Sequence, residues 1–334
     1  MMSKIIERMI VRRMKKSKLV LTDGLHAVLI GTGSPLADIN RSGPATAVIA
    51  GKKLFLVDAG DGSARNLQAT GLNIGRLDKV FLTHFHSDHI GGLGDIMMLR
   101  WAAGGRREPL PVYGPPGTAA VVFGFNEAYS QDKAYRIAHH GEATLPREGA
   151  GGMPMEFDLG ADPSAAKVIF QDEDVQITAF NVNHLPVYPA VGYRFDYKGR
   201  GIVISGDTAY TDNLAKQAGG ADILICDALR PELVDIINRH ADLTQSVTAR
   251  KITADIKSFH LTPEEAAQIA AEAGISALFL THIVPPLPAT RLMRKVFLGK
   301  APDYFTKNIY LGQDGMLISL AAADKSILVK NLLK

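Results

Sequence analysis

The chain has 334 residues, 46% of them hydrophobic, with 37 Lys and Arg against 34 Asp and Glu for a formal net charge of +3. That is ample material for one large or two medium cores, and no apolar run approaches the roughly 18 residues that a membrane-spanning helix requires. The single cysteine, Cys226, excludes an internal disulfide and any cysteine-built zinc cluster, which is compatible with a reducing cytoplasm, the expected location.

Charge is concentrated at the start. Residues 1–18 carry Lys4, Arg8, Arg12, Arg13, Lys15, Lys16 and Lys18 against Glu7 alone, which leaves a body with three more acidic than basic residues. A body of that sign is a poor platform for a phosphate backbone, where affinity follows clustered Lys and Arg. Ile5, Ile6, Met9, Ile10 and Met14 recur at helical spacing, so residues 1–24 read as a basic amphipathic helix or arm. Such a helix meets an anionic surface or docks on its own domain or a dimer partner. Leu19-Val20-Leu21 is too short for the apolar core of a signal peptide, so the mature chain is expected to start close to Met1.

From Leu25 onward short apolar runs alternate with turns: 26–30, 46–50, 54–57 and 80–82, with Gly51-Lys52-Lys53 as a hairpin signal. A helix is predicted from Ser63 to Thr70, closed by Gly71, and another over 94–101. Residues 141–166, rich in Gly, Pro and charge, read as a surface connection. A second strand series follows at 168–170, 175–180, 190–195, 202–205, 223–225 and 278–280. The helix Pro263 to Ala273 is opened by Thr262 as N-cap, carries Glu264 and Glu265 in its first turn, and is closed by Gly274. Two β-rich halves with helices outside predict two sheets packed face to face, and residues 25–334 read as a single domain because the expected site residues lie on both sides of 141–166.

The densest chemistry lies in Phe81-Leu82-Thr83-His84-Phe85-His86-Ser87-Asp88-His89. Three imidazoles and a carboxylate within six residues, beside a buried strand, call for a metal, because an unpartnered cluster of this kind is costly to bury. On an extended segment His84 and His86 point to one side. Asp88 and His89 follow where the chain turns, so one loop can seed two metal positions. With no thiolate nearby, imidazole and carboxylate suit zinc, and less strongly iron or manganese.

This His-x-His-x-Asp-His loop resembles the signature of the metallo-β-lactamase-fold hydrolases. Gly31-Thr32-Gly33-Ser34-Pro35, Leu56-Val57-Asp58-Ala59-Gly60 and Ser87 within the loop are similar to the ribonuclease Z and arylsulfatase-like branch, over about residues 25 to 315. The resemblance implies an α/β fold, the αββα four-layer sandwich, and a dinuclear site with two Zn2+, for which Mn2+ or Fe2+ can substitute. It implies His84, His86 and His184 on one metal, Asp88, His89 and His282 on the other, and Asp207 shared. Asp58 resembles the carboxylate that orients a ligand histidine. Asp88 is also expected to orient the nucleophile. His260 resembles the histidine that precedes the last ligand by a helix and a strand, and Asp227 stands where the branch usually has a glutamate; as a pair they are expected to steady the leaving group.

The implied reaction is hydrolysis of a phosphodiester by a hydroxide bridging the two metals. Aryl sulfate hydrolysis is the alternative reading, with lactonase or β-lactamase activity further off. Two departures from the tRNA-processing members point toward a small-molecule phosphate or sulfate ester, with RNA a second substrate class. Only 22 residues separate His184 from Asp207, too few for a tRNA-holding arm, and Ile283-Val284-Pro285-Pro286 follows His282. A homodimer is the family expectation. His139 and His140, being adjacent, face different ways and chelate poorly; His26 and His240 show no partner signal. Gly31 to Ser34 lacks the spacing of a nucleotide fingerprint.

Overall fold

Fifteen strands in the computed structural model, which describes residues 4–9, 11, 19–240, 247–288 and 290–333, form two sheets. The strands are β1 (Gly24–Gly31), β2 (Ala45–Ala50), β3 (Lys53–Val57), β4 (Lys79–Phe81), β5 (Leu110–Gly114), β6 (Gly152–Glu156), β7 (Ala166–Gln171), β8 (Val175–Asn181), β9 (Val191–Tyr197), β10 (Arg200–Ile204), β11 (Ile223–Leu229), β12 (Ala277–Val284), β13 (Asn308–Leu311), β14 (Met316–Ala321) and β15 (Leu328–Asn331). One sheet has the order β15-β14-β1-β2-β3-β4-β5-β6, the other β13-β12-β11-β10-β9-β8-β7.

Each sheet is antiparallel at one end and parallel at the other. The parallel runs are β3 to β6 and β10 to β13. Parallel neighbours need a crossover long enough to hold a helix, and the chain supplies one at each step, among them Ser63–Ala69, Leu93–Gly104, Asp212–Ala218 and Pro263–Glu272. Period-2 alternation then divides the apolar residues into three layers of contact. Leu25, Ala27 and Leu29 of β1 face inward and meet Phe195, Ile223, Ile225 and Phe279 of the other sheet. Val28 and Ile30 face outward under Leu67, Leu93 and Ile96. On the second sheet Val203, Leu224 and Leu278 lie under Ala266, Ile269 and Ala270. Helices thus cover both outer faces, giving the expected αββα layering.

The predicted helix of residues 263–273 has its full start signal: Thr262 accepts from the Glu265 N–H at 3.2 Å while the Glu265 carboxylate accepts from the Thr262 N–H at 2.8 Å. Gly51 takes φ 57 in the β2–β3 hairpin.

Some expectations need correction. The stretch 141–166 is not all connection, since Gly152–Glu156 is the edge strand β6, paired in parallel with β5. An edge strand tolerates Pro154, and its glycines and proline concealed the pairing. Strands β5, β13, β14 and β15 lie outside the predicted series: β5, β13 and β14 are short strands paired with partners distant in sequence, and β15 is a four-residue edge strand held only by β14. In the arm, residues 4–9 are helical and Ile5, Ile6 and Met9 are 54%, 51% and 67% exposed, so this segment does not pack on the sandwich. Ile10, Met14 and the basic residues from Arg12 to Lys18 lie outside the described residues. Among the described residues no helix is long and apolar enough to cross a membrane.

Candidate metal centre

The seven residues singled out as ligands come from four stretches of chain that meet at one edge of the sandwich. The chain leaves β4 at Phe81, and His84 and His86 fall in the irregular segment that follows. Asp88 and His89 occupy the single helical turn Ser87–Ile90, with His86 as its N-cap residue. His184 follows β8. Its loop is pinned to the one carrying Asp207 by the Ala209 N–H, which donates to the Asn183 carbonyl at 2.7 Å.

Asp207 follows β10 through Gly206, at φ 64, where a Cβ would sit 2.8 Å from the Thr83 Cβ. Only glycine fits there. His282 does not follow its strand as expected but lies within β12. Asp227 pairs with Thr281 and Ala228 with Ile283, so His282 is the extra residue of a β-bulge, at φ 46. A bulge re-aims a side chain, which is how a residue in mid-strand reaches the rim. Asp58, at φ 57, is the second non-glycine residue of the site in the left-handed region. Two such backbones in one small site mark a geometry imposed by its surroundings.

The side chains converge. His84 Nε2 lies 3.0 Å from His86 Nδ1, which is 3.4 Å from His184 Nε2. Asp207 Oδ2 lies 4.0 Å from both His84 Nε2 and His184 Nε2, 3.3 Å from His89 Nε2 and 3.2 Å from His282 Nε2. Asp88 Oδ2 stands 3.5 Å from His89 Nε2 and 3.3 Å from His282 Nε2. A tetrahedral zinc shell with bonds of about 2.0–2.1 Å has ligand atoms roughly 3.3–3.4 Å apart, close to this spacing. Two groups could each hold a cation: His84, His86, His184 and Asp207 in one, Asp88, His89 and His282 in the other. A third grouping, of Asp207, His260 and His282, overlaps both the shared carboxylate and the dyad described below.

The far sides of three of these rings are tied down, while His282 Nδ1 is buried with no hydrogen-bond partner among the described residues. His89 Nδ1 donates to Asp58 Oδ2 at 2.9 Å, and His184 Nδ1 donates to the Phe259 carbonyl at 2.9 Å. His84 Nδ1 meets Thr83 Oγ1 at 3.0 Å, and Thr83 in turn donates its N–H to Asp58 Oδ1 at 2.8 Å. Each anchor turns Nε2 toward the centre. His89 Nε2 is buried with no hydrogen-bond partner among the described residues, which is costly unless a cation binds it. The donor set therefore fits a divalent metal.

The charges divide between the two groups. Burial holds His84 well below its ordinary pKa and brings His184 down to about 4, so both present neutral imidazole. Burial opposes charge on His89 and Asp207 alike, yet their mutual attraction, with Asp58 and His282, lifts His89 well above and drives Asp207 well below the usual ranges.

His260 and Asp227 form a buried pair, His260 Nδ1 donating to Asp227 Oδ2 at 2.8 Å. His260 Nδ1 is 3.9 Å from Asp207 Oδ2, and its ring stacks on that of His282 at 5.1 Å. Burial raises the Asp227 carboxyl to about 6. Other histidines stay outside the cluster. His139 and His140 end the helix Ser130–His140 and are exposed. His26 is buried in β1 between Ser319 Oγ and the Thr22 carbonyl, and His240 bonds the Ile236 carbonyl. The anchors Thr83 and the Phe259 carbonyl carry no sequence signal: Thr83 has no distinguishing spacing within the 81–89 run, and a backbone carbonyl leaves no mark in a sequence.

The family model of the beta-lactamase superfamily domain matches residues 53–283. The chain is 36% identical over 288 residues to the ribonuclease Z of Mycolicibacterium gilvum, covering 82% of this chain and 93% of that one. To the ribonuclease Z of Mycobacterium bovis it is 38% identical over 266 residues, 79% and 87% of the two chains. Among solved structures, the human short-form tRNase Z superposes with a TM-score of 0.62 at 23% identity, over 88% of this chain and 98% of that one. The metallo-β-lactamase-fold protein YhfI from Bacillus subtilis gives 0.61 at 21% identity, over 89% and 100%.

Proposed function

The chain belongs to the metallo-β-lactamase superfamily, in its ribonuclease Z branch, and on that premise we propose that it is a metal-dependent phosphodiesterase acting on RNA or RNA-like esters. The observation that carries this reading is the double cluster itself: two sets of donor atoms, each within 4.8 Å, joined through one carboxylate. The missing arm argues less against RNA than the sequence suggested, because the two bacterial ribonucleases Z match this chain over 93% and 87% of their own length. They have little room for a long segment that this chain lacks.

His84, His86 and His184 would hold one Zn2+, Asp88, His89 and His282 the other, with Asp207 between. When bound, the pair supplies Lewis acidity, easing deprotonation of an attacking water and offsetting charge on the phosphate oxygens. Asp88 is half-buried and faces His89 and His282, so its carboxylate can take part in ligation and orient that water by accepting its proton. Asp227 holds the His260 Nδ1–H, so that His260, when it carries a second proton on Nε2, can give that proton to the leaving oxygen and return to the neutral Nδ1–H tautomer. Nothing in the site favours a sulfate centre over a phosphate one. The test is the zinc-loaded protein assayed in parallel on labelled precursor tRNA, a bis-aryl phosphate and an aryl sulfate. Cleavage of the phosphodiesters is expected; turnover of the sulfate with both phosphodiesters inert would overturn the assignment.

A further inference from the structure

Phe259 is the aromatic residue closest in structure and sequence to the dyad, and the core does not explain it. It is half-buried yet belongs to none of the hydrophobic clusters among the described residues. Its ring neighbours are two site imidazoles: His184 at 5.2 Å, edge to face, and His260 at 5.0 Å, tilted by 50°. The two imidazoles are themselves 5.4 Å apart, so a proposed metal ligand and the proposed proton donor stand side by side against this ring. An ester that reaches both groups would lie close to this ring. The loop after His184 repeats the character, with Leu185 and Tyr188 65% and 57% exposed and each followed by proline. An apolar side chain left open to water at the lip of a charged site is most economically explained by a flat apolar group that covers it.

Resting on the phosphodiesterase reading, we infer that the Phe259 ring forms an aromatic face that binds a planar aromatic group attached to the ester, a nucleobase or a simple aryl ring. Such a face suits a body with no surplus of positive charge, since every base presents a π surface and stacking needs no cation. It also accounts for the backbone of Phe259 doubling as the anchor of His184 Nδ1: one residue fixes the ligand imidazole through its carbonyl and leaves its ring for the substrate. Selectivity then resides in the group beside the scissile bond, while the metals read only the phosphate.

Equilibrium titration of the zinc-loaded protein with methyl phosphate, phenyl phosphate and a nucleoside monophosphate tests this without turnover. The aromatic esters should bind about tenfold tighter than methyl phosphate, the size of one stacking contact. Phe259→Ala and Phe259→Leu should both bring that ratio close to one, the leucine variant keeping volume while losing the π face, and Phe259→Tyr should restore it. A gain for phenyl phosphate alone supports the face with simple aryl esters as its occupants, and a gain for both supports nucleobases. A wild-type ratio near one, or a ratio that survives Phe259→Leu, overturns the inference. Hydrolysis of the phosphodiesters alongside a ratio near one removes the aromatic face only. A tenfold ratio in a protein that leaves phosphodiesters intact removes the activity and keeps the face.

Discussion

Replacing Asp58 by Asn isolates the residue that sets the site's orientation. Asp58 Oδ1 accepts the Thr83 N–H at 2.8 Å, and Oδ2 accepts His89 Nδ1 at 2.9 Å and Thr83 Oγ1 at 2.9 Å. Asn keeps the shape and tolerates φ 57, but brings one NH2 into a ring of donors. Facing His89, it opposes the Nδ1–H and drives the imidazole toward the tautomer whose Nε2 cannot bind metal. Facing Thr83, it opposes the backbone N–H. Either orientation leaves one buried donor unpaired, about 1–3 kcal/mol, and loosens the imidazole, for which the usual cost is a ten- to hundredfold loss of metal affinity. Zinc affinity measured against a chromophoric chelator, beside urea unfolding of the metal-free protein, should show both losses. Asp58→Ala should lose about 1–2 kcal/mol more, because alanine is strained at this φ. Wild-type zinc affinity and wild-type stability in Asp58→Asn would refute the reasoning.

Four further outcomes are expected. His86→Ala should abolish metal uptake and hydrolysis together, as read by metal analysis and a bis-aryl phosphate assay; full activity in this variant would undo the dinuclear proposal. His260→Ala should lower kcat by about 10²-fold with bound metal retained, and Asp227→Ala should do likewise while Asp227→Glu recovers most of the rate; equal rates in all three would remove the dyad from the reaction. Gly206→Ala should destabilise the fold by about 2 kcal/mol or more, from a left-handed φ of 64 and a Cβ 2.8 Å from that of Thr83, seen as a lower denaturant midpoint. His26 is depressed by burial below its usual 6.5, so the unfolded chain takes up a proton that the folded one refuses. Its contribution to stability is therefore present at neutral pH and lost as pH falls through the unfolded value. The stability difference between wild type and His26→Gln should shrink from about pH 7 to about pH 5, and a constant difference would refute the assignment.

The sequence by itself determined what is local. The run from His84 to His89 stands out as a candidate metal-binding cluster, Thr262 and Glu265 cap a helix through contacts three residues apart, and the alternation of β8 marks which residues face a core. Family resemblance then named His184, Asp207, His260 and His282 across gaps that no periodicity bridges. Only the tertiary structure decided how these residues meet. That His282 reaches the rim from within β12 depends on a bulge against β11, and the bulge exists because two strands 54 residues apart in Asp227 and Thr281 pair with unequal counts. The anchoring of His184 by the Phe259 carbonyl, and of His89 by Asp58, likewise comes from groups 75 and 31 residues away. A hydrogen bond over such a separation is set by the packing of whole sheets, which side-chain identity along the chain does not encode locally. The same holds for β6 and β13, strands too short to declare themselves until a distant neighbouring edge offers hydrogen bonds.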